Sequence, residues 1–260
     1  MVAPDKNNAL ISLKTEREIA IMREAGRILA EILNAIKPLI KQGVSGKDIE
    51  KVCEKMLTDY KVEPAFKNYE RFPSVCCISV NDVVVHGVPS SKTFEQGDLV
   101  CFDLGIQYKG YYSDAAFAVL VGPLTEKDSE ALRLLRATKK ALKLGITKAK
   151  PGNTFGDIGN TIERWISSQG FGVVRELCGH GIGKHLHEEP RILNYGKRHT
   201  GPVIKEGMVF CIEPMVTMGD WHLQKAEDGF GYKTLDGSLA CHFEHTIAIT
   251  KRGPQVLTTL

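Results

Sequence analysis

The chain repeats itself at an offset of about 110 residues, and that repeat restricts its fold more than any other feature. GVSGKDI, opening at Gly43, is matched by GNTFGDI at Gly152; GDLVCFD, ending at Asp103, is matched by GMVFCIE, ending at Glu213. After a longer connection, DAAFAV at Asp114 is answered by EHTIAI at Glu244. Four helix starts show a Ser or Thr followed three residues later by an acid: TERE at Thr15, SGKD at Ser45, TEKD at Thr125 and TFGD at Thr154. Apolar residues recur at helical spacing behind them, in stripes of Ile19, Met22, Ile28, Ile32 and Ile36; of Ile49, Val52, Cys53, Met56 and Leu57; of Leu132, Leu135 and Leu142; and of Ile158, Ile162, Trp165 and Ile166. Each half therefore reads helix, helix, strands. The expected class is α+β, an antiparallel sheet of two related halves covered by helices on one face. With no Pro, Gly or Ser-rich linker between the halves, residues 14–260 are expected to form one domain behind a tail of residues 1–13.

The repeat places an acid at two matched strand positions in each half. If Lys109-Gly110 is a two-residue hairpin turn, Asp114 lies opposite Gly105, and period-two alternation puts Asp103 on the same face as Asp114. Glu213 and Glu244 take the equivalent places in the second half, so four carboxylates converge. Four anions cannot share a dry centre without cations to compensate them. His180, flanked by glycines in CGHGIGKHLHEEP, adds an imidazole, with His187 seven residues on. One imidazole with carboxylates is a donor set for a pair of divalent transition metals, with two carboxylates free to bridge.

Other chemistries fit poorly. Among 260 residues, the net charge of +3 is spread without a basic run, so direct nucleic-acid binding is not expected. Seven cysteines without CxxC spacing or an even framework suit a reducing compartment rather than disulfides or a zinc ribbon. No apolar run approaches the ~18 residues of a membrane span, and the amino terminus lacks a secretory pattern; a cytoplasmic protein is expected. GHGIGK lacks the Ser or Thr of a phosphate loop, GxSxG is absent, and HEEPR at His187 lacks the second histidine of a zinc helix. His185, His199, His222 and His242 read as surface or loop histidines.

Taken together, NDVVVHGVP, GDLVCFDLG, YYSDAA, GHGIGKHLHEEP, CIEPMV and FEHTIAI resemble the type I methionine aminopeptidases of bacterial kind, from about Lys14 to the last residue. The resemblance implies the pita-bread fold and a centre of two divalent ions (cobalt, manganese, iron, zinc or nickel). It implies that Asp103 chelates one ion, that Asp114 and Glu244 bridge, and that His180 and Glu213 bind the other. It also implies a metal-activated hydroxide as nucleophile, Glu213 as proton shuttle, His187 as oxyanion stabiliser and His86 as a contact beyond the cleaved bond. The methionine pocket would be lined by Phe66, Tyr69, Phe72, Cys77, Leu186 and Phe230. Phe72, Leu186 and Phe230 stand where members often carry Tyr, Phe and Trp, and Gly105 where many carry Thr. The implied substrates are nascent peptides at the ribosome with a small second residue, met by a monomer without a membrane partner.

Proline-specific peptidases of the same fold carry an extra N-terminal domain, and only about fourteen residues precede the first helix here. A type II methionine aminopeptidase would need a helical insertion in the second half. A non-catalytic pita-bread module would have lost ligands, whereas all five positions are filled here.

Overall fold

The computed structural model describes residues 11–123 and 129–259. Four helices carry the repeat: α1 (Glu16–Ile36), α2 (Gly46–Tyr60), α3 (Ser129–Lys148) and α4 (Phe155–Ser168). Three of the expected capping boxes form. Glu18 Oε2 accepts from the Thr15 backbone N–H at 2.8 Å, Asp48 Oδ2 from Ser45 at 3.3 Å and Asp157 Oδ2 from Thr154 at 2.9 Å. The expected start at Thr125 lies outside the described residues.

Of the apolar stripes, α1 buries all five expected residues and α4 buries Ile158, Ile162 and Ile166. On α2, Ile49, Cys53 and Leu57 are buried while Val52 is exposed. On α3 the reading is corrected: Leu134 is fully buried and Leu132 and Leu135 are only half-buried. The helix is apolar at all three positions, so its facing is decided by the close packing of α3 on α4 and not by its own periodicity.

The described residues form fifteen strands: β1 (Glu63–Pro64), β2 (Cys77–Val80), β3 (Val83–Val85), β4 (Leu99–Tyr108), β5 (Tyr111–Leu120), β6 (Gly172–Val173), β7 (Gly179–Gly181), β8 (Glu188–Ile192), β9 (Val209–Ile212), β10 (Met215–Thr217), β11 (Leu223–Lys225), β12 (Tyr232–Thr234), β13 (Ala240–His242), β14 (Glu244–Thr250) and β15 (Gly253–Val256). The main sheet is antiparallel in the order β1-β4-β5-β14-β9-β7-β8, so β5 and β14, equivalent strands of the two halves, meet at its centre. Lys109 and Gly110 form the expected turn, with φ of 49° and 79°, the left-handed pair that a two-residue hairpin requires.

The repeat persists in detail. Phe94 exchanges backbone hydrogen bonds with Gly43 and Val44, and Ile204 exchanges the same pair with Gly152 and Asn153. Gly97 and Gly207 hold the matched turns before β4 and β9 at φ of 88° and 87°, where a Cβ would be strained.

Alternation then divides the sheet. Phe102, Leu104, Ile106, Phe117, Phe210, Ile212, Ile247 and Ile249 join one core with residues of all four helices, among them Ile32, Ile49, Leu134 and Ile158. The four acids stand at alternate positions on those strands and so face the other side. This is the pita-bread architecture, with helices outside and the acids within.

Candidate metal centre and substrate cavity

The register brings the acids into a row. Asp103 pairs with Ala116, Ala116 pairs with Glu244, and Gly105 pairs with Asp114, as the hairpin reading required. His245 pairs with Ile212, so continuing the ladder by one residue sets Glu244 beside Glu213. Thr246 pins the central strands: its hydroxyl accepts from the Asp114 N–H at 3.0 Å and donates to the Asp114 carbonyl at 2.8 Å. Asn194, fully buried, donates to the Glu213 carbonyl at 2.9 Å.

His180 reaches the row from β7. Its Nδ1 lies 2.9 Å from the Gly181 carbonyl, which can only accept, so that nitrogen carries the proton and Nε2 keeps its lone pair. Nε2 lies 3.7 Å from Glu213 Oε1 and 3.9 Å from Glu244 Oε1. The oxygens of Asp103, Asp114 and Glu244 fall within 4.8 Å of one another, as do donor atoms of Glu213, His242 and Glu244, and of His180, Cys211 and Glu244.

The electrostatics demand a cation. Asp103 Oδ1, Asp114 Oδ1 and Glu244 Oε1 are buried without a hydrogen-bond partner. Burial pushes the Asp114 carboxyl up to about 7. Burial, aided by the neighbouring carboxylates, pushes Asp103, Glu213 and Glu244 well above the usual range. Burial likewise lowers His180 to about 3, so its imidazole is neutral at physiological pH. Unpaired carboxylates beside a neutral imidazole with a free lone pair are a fit for divalent cations.

These five residues open into a cavity of about 740 Å³ that is also lined by Phe66, Tyr69, Phe72, Cys77, His86, Leu186, His187 and Phe230, so the expected metal ligands and the expected substrate contacts border one cavity. Phe72 and Phe230 pack edge to face with centroids 5.5 Å apart. Tyr69 Oη and His187 Nδ1 form a 2.8 Å hydrogen bond, which leaves His187 Nε2 free; the His187 ring stands edge-on to His180 at 4.4 Å. Desolvation first, then the nearby His187 and Lys225, lowers His86 to about 4. Gly105 has a steric reason here: a Cβ would lie 2.7 Å from Phe66 Cε1 and 2.9 Å from Ala65 Cβ. The Phe66 ring occupies the space that a side chain at 105 would need.

One histidine reading is corrected. His185, His199 and His222 are exposed, but His242 is only 2 % exposed and faces the acids. Its Nε2 lies 3.6 Å from Glu213 Oε2 and 3.9 Å from Glu244 Oε2. Burial lowers its pKa to about 3. The missed signal was parity: His242 precedes Glu244 by two residues, the spacing that puts side chains on one face.

Comparison with known proteins agrees with this geometry. The profile of metallopeptidase family M24 matches residues 20–251. Methionine aminopeptidase of Clostridium perfringens is 41% identical, over 96% of this chain and 100% of its own. Methionine aminopeptidase of Escherichia coli is 40% identical, over 95% and 94%. The crystal structure of methionine aminopeptidase from Thermotoga maritima superposes with a TM-score of 0.92 at 42% identity, covering 96% of this chain and 100% of that one. Prolidase from Pyrococcus furiosus reaches 0.75 at 29% identity, with 67% of its chain covered. The chain belongs to metallopeptidase family M24, on its methionine aminopeptidase branch.

Proposed function

We propose that residues 14–260 act as one catalytic unit that removes the N-terminal methionine of nascent chains when the second residue is small. Two divalent ions would be held by Asp103, Asp114, His180, Glu213 and Glu244; cobalt, manganese, iron, zinc and nickel all suit such nitrogen and oxygen donors. When bound, they would acidify a water molecule and polarise the scissile carbonyl. The observation that carries the reading is the row of unpartnered buried carboxylates at the inner end of a cavity walled by apolar and aromatic side chains.

The residues divide the work. Phe66, Tyr69, Phe72, Cys77, Leu186 and Phe230 surround the methionine side chain, whose polarizable thioether favours aromatic edges such as those of Phe72 and Phe230. Tyr69 orients His187; with the Tyr69 hydroxyl donating to Nδ1, Nε2 carries the proton and donates to the carbonyl oxygen as charge develops on it. His86 meets the peptide beyond the cleaved bond. Glu213, beside the centre, would take up and return the proton of the attacking water. A large second residue collides with the wall beside His86.

The reaction belongs in the cytoplasm, on chains emerging from the ribosome, and the enzyme acts as a monomer. All seven cysteines are free thiols, which suits a reducing compartment. Among the described residues no helix is long and apolar enough to cross a membrane. A peptide series Met-X-Gly-Lys at fixed metal concentration tests the specificity. Release of methionine is expected for Ala, Gly and Ser at X and at least ~100-fold less, in kcat/KM, for Leu. Equal cleavage of Ala and Leu peptides would overturn the steric reading, and a requirement for Pro would favour the prolidase-like alternative.

A further inference from the structure

Glu213 and Glu244 present two oxygens each, and both pairs face an imidazole nitrogen. Glu213 Oε1 and Glu244 Oε1 lie 3.7 and 3.9 Å from His180 Nε2; Glu213 Oε2 and Glu244 Oε2 lie 3.6 and 3.9 Å from His242 Nε2. We propose that His242 is a nitrogen ligand of the metal centre, its Nε2 acting with the second oxygens of Glu213 and Glu244, so that the centre holds metal through two imidazoles rather than one. The inference rests on reading the cavity as a metal centre and adds a donor to it.

Backbone geometry sets the residue there. Met215 pairs with His242 across β10 and β13, and Glu213 and Glu244 each lie two residues from that pair. Side chains two apart share a face, so His242 stands with both acids, while Phe243 between them turns into the helix-covered core.

The separations exclude a hydrogen bond, which needs about 2.7–3.2 Å between nitrogen and oxygen. They suit donors that share an ion: ligands about 2.1 Å from a common metal lie roughly 3–4 Å apart. Glu213, His242 and Glu244 form a donor set with all ligand atoms within 4.8 Å of one another, and all three residues are largely buried. A buried histidine that merely fills the core normally satisfies its ring nitrogens, yet His242 Nε2 has no partner. It repeats, on the far side of the same two carboxylates, the arrangement His180 makes on the near side.

Proton NMR of the full chain loaded with two equivalents of Co2+ counts the imidazoles, because each ligating histidine gives a paramagnetically shifted, solvent-exchangeable ring N–H signal. Two such signals are expected in the wild type. His242→Gln should lose one and His180→Gln the other, and Co2+ affinity in His242→Gln should fall about 10- to 100-fold. A single signal in the wild type, lost in His180→Gln, would overturn the assignment without touching the metal centre itself. The same single signal with weakened affinity in His242→Gln would also overturn it, making His242 a positioning residue outside the coordination sphere. If no shifted histidine signal appears with cobalt bound, the reading of the centre fails and this inference with it. The wild-type count needs no variant, and metal-free melting of both variants shows whether they fold.

Discussion

Removing divalent ions from the centre should make folding stability fall as pH rises through neutrality. Burial raises Asp114 from an ordinary 3.8 to about 7, and burial with neighbouring charge raises Asp103, Glu213 and Glu244 well above their usual values. A carboxyl raised on folding contributes stability that is complete below its unfolded pKa and lost as pH climbs through its folded one. For Asp114 the full loss is roughly 4 kcal/mol, about three units at ~1.4 kcal/mol each, most of it spent by pH ~7. Asp103, Glu213 and Glu244, raised by the same causes, add losses of the same sign as pH rises. His180 and His242, both lowered to about 3, act oppositely. Their stability is complete above about 6.5 and lost as pH falls toward their folded values, so they add no slope above 7.

Bound ions keep the carboxylates charged and remove this slope. The assay compares melting temperatures at pH 6.5, 7.5 and 8.5, chelated and metal-loaded, with proton release on metal addition followed by an indicator dye. Over that range the chelated protein should melt at progressively lower temperature as pH rises, by roughly 2 °C for each kcal/mol lost in a chain of this size. The loaded protein should lose much less. Metal binding at pH 7 should release protons, from carboxyls that ionise as they become ligands. Parallel melting curves, with no proton released, would refute the reasoning.

Three substitutions probe the rest of the cavity. Asp103→Asn should lower methionine release at limiting metal by more than about 100-fold and reduce bound metal measured by atomic emission, since an amide replaces an anionic ligand. His187→Ala should lower kcat by about 10²- to 10³-fold with metal content retained; loss of the metal would make His187 a ligand. Gly105→Thr should cost about 1–3 kcal/mol in chemical denaturation, because its Cβ would fall 2.7 Å from the Phe66 ring, and Phe66→Ala should recover most of that cost. Equal stability of both Gly105→Thr proteins, with and without Phe66, would refute the steric link.

What could be read from the sequence was what local chemistry or period-two alternation decides. The capping boxes at Thr15, Ser45 and Thr154 act over three residues, and the Lys109-Gly110 turn fixes the Gly105 to Asp114 register by itself. Packing between elements was less legible. Leu134 outcompetes Leu132 and Leu135 for the core only because α3 meets α4, and the ring of Phe66 meets Gly105 across about 40 residues of chain. The β11–β12 hairpin, within the longer connection of the second half, pairs with β3 and so brings Phe230 to the cavity, a contact no periodicity encodes.

The same distinction explains why a nearly symmetric frame holds an asymmetric site. The duplication delivers two acids from each half, Asp114 and Glu244 on the central strands β5 and β14 and Asp103 and Glu213 on β4 and at the end of β9 beside them, and there the symmetry ends. Residues between α2 and β2, in the first half, supply Phe66, Tyr69 and Phe72, while the second half supplies His180, His187 and His242. The aspartates come from the half that supplies Phe66, Tyr69 and Phe72, and the longer glutamates from the half that supplies His180, on β7 beyond β9, and His242, on β13 outside the main sheet. A glutamate reaches one methylene farther than an aspartate, so Glu213 and Glu244 can turn one oxygen toward His180 and the other toward His242. Shortening either to aspartate at the same backbone position would draw its oxygens away from both imidazoles, and the second half could not then offer nitrogen and oxygen donors to one ion.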